Sequence, residues 1–301
     1  MLRTYELNFN HSFYYKYNGA THLPEQELIM NSGTDFQSSI FNLQSSIPYF
    51  LISLISLFPS STIAQDYLKE GKSWYENRAN GAIGLQANPE PINNAIVNLE
   101  KALASGISSE ETTTCLIRAY NYKGRFVEKT SSEKIKMYEK GKNLGETMLK
   151  RYPKSESLLF EYLCIIGYWA KEISPIKAAW DGALGKMKTG ADKLYALNPG
   201  CTGYKCKIML GVMYVKAPYI PLILTWPDNK VGLDYLTEAV KCSPEDFGGL
   251  FFYAVALDEN KQREKAKVYL EKIMTMTPRK ESLLEDKIFV RDAEKLLKEW
   301  K

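Results

Sequence analysis

The feature that most constrains the fold is a recurring helical stripe closed by proline. Ala95, Leu99, Ala102 and Leu103 fall at i, i+4, i+7 and i+8, the spacing of a helix that packs along one face. The same spacing returns at Gly232, Leu236, Ala239 and Val240, ahead of Pro244. It returns again at Ala266, Leu270, Ile273 and Met274, ahead of Pro278. Weaker copies end at Pro153 (GKNLGETMLKRYP) and Pro199 (MKTGADKLYALNP), so these prolines are separated by 46, 45 and 34 residues. A small residue early in such a helix admits its partner closely, a larger one a turn later fills the groove, and proline ends the helix before the next begins.

A stripe of this kind buries one face only, so each unit must stack on its neighbours. Residues 66 to 300 therefore read as an all-α array of helical hairpins, about eleven helices, ending in an amphipathic terminal cap over Glu281–Trp300. Helix starts support this. Ser108–Glu111 and Thr130–Glu133 have the spacing of capping boxes, and Ser174-Pro175 and Ser243-Pro244 offer a cap followed by proline.

Residues Ile47–Phe58 (IPYFLISLISLF) are 12 uncharged apolar residues, too few to span a bilayer and the right number for a signal-peptide core. Ser60–Ala64 follows with a small-x-small pattern, predicting cleavage after Ala64. Met30 would begin a leader of ordinary length. The expected organisation is an upstream extension over 1–29, a signal peptide over 30–64 and a helical repeat domain over 65–301, exported to the periplasm or beyond. A short buried helix is the other reading of the apolar run, since no Lys or Arg lies between Lys16 and Lys69.

Both histidines, His11 and His22, precede the expected cleavage point. The mature chain then lacks the base of a Ser-His-Asp triad and histidine metal ligands. Walker, GxGxxG, GxSxG and calcium-loop patterns are missing as well, so the chain reads as non-catalytic and needs no cofactor or metal. Without residues 1–64 it keeps 37 basic and 31 acidic residues, a balance of about +6. These charges interleave along helix faces, and no basic run with spaced aromatics points to nucleic acid. Five cysteines leave at least one unpaired. A Cys201–Cys206 bridge requires the Gly200–Gly203 stretch to be non-helical, because residues five apart on a helix diverge.

The stripe resembles the second helix of the tetratricopeptide repeat. The last unit matches best, with Leu250, Tyr253, Ala254 and Leu257 at first-helix positions and a 34-residue spacing of its closing prolines. Within that superfamily the chain is similar, over roughly residues 90 to 278, to the T component of tripartite ATP-independent periplasmic (TRAP) transporters. The residues that carry this are the aromatic helix Leu158–Ala170 and the proline-bearing loop Ala217–Pro227. The resemblance implies a periplasmic scaffold that associates with a substrate-binding subunit, as a homo-oligomer in some arrangements, and handles a small hydrophobic or carboxylate ligand. The cytoplasmic regulators of microtubule dynamics share a similar repeat-plus-loop pattern and supply the alternative.

The loop Ala217–Pro227 either covers its own core or meets a ligand or partner. In the second case Tyr168, Trp169, Trp180, Tyr214, Tyr219 and Trp226 line an apolar pocket. Lys177, Lys205, Lys207 and Lys216 are then candidate cations for a carboxylate. In the first case these are core aromatics and helix-face lysines.

Overall fold

Six helix starts carry an Asn, Ser, Thr or Asp whose side chain accepts a backbone N–H of the first turn: Asn88, Ser109, Thr130, Ser155, Asp228 and Asp246. Each such cap contributes about 1 kcal/mol by satisfying a donor the helix cannot. In the computed structural model, which describes residues 60–106 and 109–300, these caps punctuate an all-α array. The helices are α1 Ser60–Glu76, α2 Pro89–Ala104, α3 Glu110–Phe126, α4 Ser131–Arg151, α5 Glu156–Ile173 and α6 Pro175–Trp180. They continue with α7 Ala183–Leu197, α8 Tyr204–Lys216, α9 Asn229–Cys242, α10 Phe247–Glu259, α11 Arg263–Thr275 and α12 Leu283–Glu299. Among the described residues no strand forms; two isolated bridges, Ile83 with Gln86 and Ile220 with Leu224, close turns.

Helices pair in hairpins: α1 with α2, α3 with α4, α5 with α7, α8 with α9, and α10 with α11. The first helices of neighbouring hairpins also touch, α1 with α3, α3 with α5, and α8 with α10. This is the two-contact rule of a helical-hairpin array, and the predicted stripes do the packing. Ala95, Leu99 and Ala102, then Leu236 and Ala239, then Ala266, Leu270 and Ile273 are almost fully buried. The fourth position of each stripe, Leu103, Val240 or Met274, lies at the rim.

The glycines of the stripes sit where helices approach most closely. A Cβ on Gly232 would stand 2.9 Å from the Gly211 carbonyl oxygen and 2.5 Å from Val215 Cγ2, so α8 and α9 touch backbone to backbone. In the weaker copies, Gly145 faces Tyr162 and Gly190 faces Leu163.

Several expectations shift in detail. The α3 cap is Ser109, one residue after the expected Ser108. Ser174 precedes proline but makes no side-chain cap bond. Ser243 ends α9, and Asp246 starts α10 in its place, because its carboxylate reaches the Gly249 N–H at 2.8 Å. Among the described residues the α-helices number twelve, with a short α6 between α5 and α7. The 1–29 extension and most of the 30–64 leader lie outside the described residues. Of the expected cleavage segment, Ser60–Ala64 forms the first turn of α1.

Candidate functional site

On α3 one buried stripe is Thr112, Leu116, Ala119 and Phe126, and a second face carries Glu111, Cys115, Arg118, the buried Tyr122 and Arg125 at steps of four, three, four and three. On α5 the corresponding face carries Glu161, Cys164, Tyr168 and Lys171. From α1 and the turn after it come Lys72, Tyr75 and Arg78. Long side chains bring these rows together. Arg118 Nε donates to Glu161 at 2.8 Å, and the Arg125 guanidinium lies 4.5 Å from the Tyr168 ring centre. Arg78 stacks on Tyr75 at 4.4 Å and on Tyr122 at 5.1 Å. The first helices of three hairpins therefore present one cationic and aromatic face.

The two ends of that face differ. The end at the α3 N-terminus is an open concavity lined by Lys72, Glu111, Thr114, Cys115, Arg118 and Ser157 among others. The other end is covered by α12. Leu284 is fully buried in the same core cluster as Leu68, Tyr122 and Phe126, and Ile288 packs against that cluster. Glu285 pairs with Arg78 at 3.1 Å, and Arg78 also donates to the Glu281 carbonyl oxygen. The opposite face of α12 caps the array as expected. Phe289 packs on Phe251 and Phe252, Ala293 and Leu296 are buried, and Asp286 accepts two hydrogen bonds from the Arg279 guanidinium.

This second seat of α12 is polar and incompletely matched. Arg78 Nε, Glu285 Oε2 and Asp292 Oδ2 are buried without a hydrogen-bond partner, and so is Trp300 Nε1 at the end of α12. Each unsatisfied buried polar atom costs about 1–3 kcal/mol. Burial holds the Asp292 carboxyl above its ordinary range, against the opposing pull of Arg291. Burial also pushes the Lys171 ammonium down to about 7, although Glu172 raises it.

The six aromatics expected at a pocket are placed as follows. Tyr214 and Trp226 meet edge to face at 5.4 Å, and Tyr235 stacks on Tyr214 at 5.8 Å. Trp169 packs on the same core cluster as this pair, whereas Tyr168 belongs to the α3–α5 face. Trp180 and Tyr219 are 67% and 63% exposed. The loop Ala217–Pro227 divides its roles, since Leu224 is buried and Leu222 is 99% exposed. Lys207 is buried and bonded to Glu238 at 2.9 Å, while Lys177, Lys205 and Lys216 are exposed.

Cys115, Cys164 and Cys206 carry free thiols, and Cys242 is disulfide-bonded. A Cys201–Cys206 bridge is therefore not present. Cys206 is buried with its Sγ 3.3 Å from the Ala191 carbonyl oxygen, and burial pushes its thiol up to about 12. Among the described residues, no cluster of three metal-ligating side chains forms, and no helix is long and apolar enough to cross a membrane.

Sequence reasoning overlooked Arg78, Arg118, Tyr122 and Arg125. The available signal was the run Cys115, Arg118, Tyr122, Arg125, a polar and aromatic row at helical spacing opposite the apolar stripe.

No protein-family model and no curated protein matches the chain. Among solved structures, a thermophilic tetratricopeptide-repeat protein of Thermus thermophilus has a similar fold. The TM-score is 0.53 at 14% sequence identity, over 78% of this chain and 99% of that one. The fold is a tetratricopeptide-type array. At that identity the likeness extends to the backbone arrangement and not to the α1–α3–α5 face, whose residues belong to this chain.

Proposed function

We propose that the array is a non-catalytic protein-interaction scaffold whose contact face is the row of first helices α1, α3 and α5. The observation that carries this reading is the row itself. Arg118 and Arg125 on α3, with Arg78, gather cations beside the rings of Tyr75, Tyr122 and Tyr168, which also pack on the core. Arginine and tyrosine are the residues that dominate protein contacts, because they combine large apolar surface with directed hydrogen bonds.

The finer reading is an exported scaffold of the TRAP T-component kind, which holds a periplasmic substrate-binding subunit. A disulfide at Cys242 supports an oxidising compartment, since such bonds are rare where thiols are kept reduced. The same observation weighs against the cytoplasmic alternative similar to regulators of microtubule dynamics. Exposed apolar side chains on α6 (Ile176, Trp180) and, separately, on the α8–α9 loop (Tyr219, Leu222, Ile223) are further candidate contacts for a homo-oligomer. The pair Tyr214 and Trp226 is the remaining candidate for a small apolar or carboxylate ligand.

Native mass spectrometry of the protein expressed from Met30 and purified from the periplasm tests this. A chain beginning at Gln65 that co-purifies with a substrate-binding subunit supports the reading. An unprocessed monomer without partner or ligand removes it.

A further inference from the structure

The α12 helix has two buried faces where a terminal cap needs one. Ala293, Leu296 and Phe289 cap α10 and α11, whereas Leu284, Glu285 and Ile288 lie on the cationic face some two hundred residues earlier in the chain. We propose that the Tyr75–Arg78–Tyr122–Arg125 seat is a docking site for an acidic amphipathic helix, and that α12 is its displaceable resident. This rests on the scaffold reading above and names the chemistry of the partner that reading calls for.

Charge complementarity selects the occupant. The seat contributes Arg78 and Arg125, flanked by Lys171. The α12 helix answers with the Glu285 carboxylate at Arg78, beside the Glu281 carbonyl of the 3-10 turn that precedes it. Arg125 has rings above it, Tyr168 at 4.5 Å and Phe126 at 4.7 Å, but forms no ion pair among the described residues. A partner helix that repeats Leu284-Glu285-Ile288 and adds a carboxylate at Arg125 therefore makes one more charged contact than α12 does. The resident is also poorly satisfied, with buried atoms on Arg78, Glu285 and Asp292 left unpaired. Its tether is longer than the neighbouring connection, since residues 276–282 join α11 to α12 through Pro278 and a 3-10 turn, against three residues between α10 and α11, and Arg279 in it is held by Asp286 and Asp246.

Three groups of charges bear on the seat. Arg78 and Lys72 come from α1 and its turn, Arg118 and Arg125 from α3, and Glu161, Lys171 and Glu172 from α5. Glu161 is engaged by Arg118, Lys72 by Glu111 and Glu172 by Lys134, which leaves Arg78 and Arg125 as the cations the seat offers, and an acidic helix fits.

The test uses the full chain and a labelled peptide of residues 281–300, which is net acidic, as probe. In the variant L284D/E285R the resident is repelled from Arg78, and the peptide is expected to bind at least tenfold more tightly than to the wild type. Adding R78E, which re-pairs the arginine introduced at position 285 and repels Glu285 of the peptide, is expected to abolish that gain. A folded variant that binds the peptide no better than the wild type overturns the proposal. Should that variant lose its helical signal, amide exchange of the wild type decides. Residues 284–292 are expected to exchange at least tenfold faster than Leu250–Leu257 of α10, and equal rates overturn the proposal. Loss of the scaffold reading is distinguishable, because a partner captured elsewhere on the array would leave peptide binding intact.

Discussion

Arg78 and Glu285 stand 207 residues apart in sequence and 3.1 Å apart in space, joining the turn after the first helix to the last helix of the array. The pair is largely buried, at 8% and 20% side-chain exposure. Removing one partner leaves an uncompensated charge, whereas replacing both removes the desolvation problem. Glu285→Ala should destabilise by about 3 kcal/mol, and the double replacement R78M/E285M should recover most of it. Thermal melts of both variants check this, and equal losses in the single and double variants would contradict the coupling.

The approach of Gly232 to Gly211 makes a second prediction. A methyl at position 232 meets backbone at 2.9 Å and Val215 at 2.5 Å, and backbone cannot move aside without separating α8 from α9. Gly232→Ala should cost about 1–3 kcal/mol despite its better helix propensity. At Gly185 in α7 an added methyl would have nothing within 4 Å, so Gly185→Ala should be stabilising by a few tenths to about 1 kcal/mol. Chemical denaturation of the two variants should move in opposite directions.

Lys171 gives a pH dependence with a definite sign. Burial lowers its ammonium to about 7 in the folded chain, below the ordinary lysine value of 10.5. Between those values the unfolded state binds more protons, so this group's contribution to stability rises with pH across that window. The charges facing it are Glu172 on its own helix, Arg125 from α3, Lys134 from α4 and Asp292 from α12. Lys171→Met should flatten the rise between pH 7 and 9.5 by up to about 1 kcal/mol per pH unit. A slope unchanged by the substitution would contradict the burial.

Cysteine chemistry supplies a fourth prediction. Alkylation of the denatured, unreduced protein should label Cys115, Cys164 and Cys206 and spare Cys242. In the native state Cys206 should react more slowly than Cys115, because its side chain is buried while that of Cys115 is partly exposed. Labelled Cys242 would remove the support for an oxidising compartment.

How much of this is legible in the sequence depends on the range of the interaction. The stripes Ala95-Leu99-Ala102 and Ala266-Leu270-Ile273 are local, and helical spacing alone gives their buried face. Thr130–Glu133 is equally local and forms the capping box expected of it. The second seat of α12 is not local. Leu284, Ile288, Ala293 and Leu296 read as one amphipathic pattern, and nothing in their spacing separates the residues that cap α10 from those that reach α3. Arg78 sits in a turn without periodicity, so neither its burial nor its partner can be read from neighbours. The aromatic loop shows the same limit. Composition identifies Trp226 and Tyr219 alike, yet Trp226 packs on Tyr214 and Tyr219 faces outward.

A scaffold of this kind requires that its partner sit on the α1–α3–α5 row. Site-specific photo-crosslinking tests that most directly, with the crosslinker placed at Arg118 on that row, at Lys136 on α4 and at Leu222 on the exposed loop. A crosslinked partner is expected from position 118, absent from position 136 and lost when Arg125 is changed to Glu. Crosslinks that arise from positions 136 or 222 and never from 118 would contradict it.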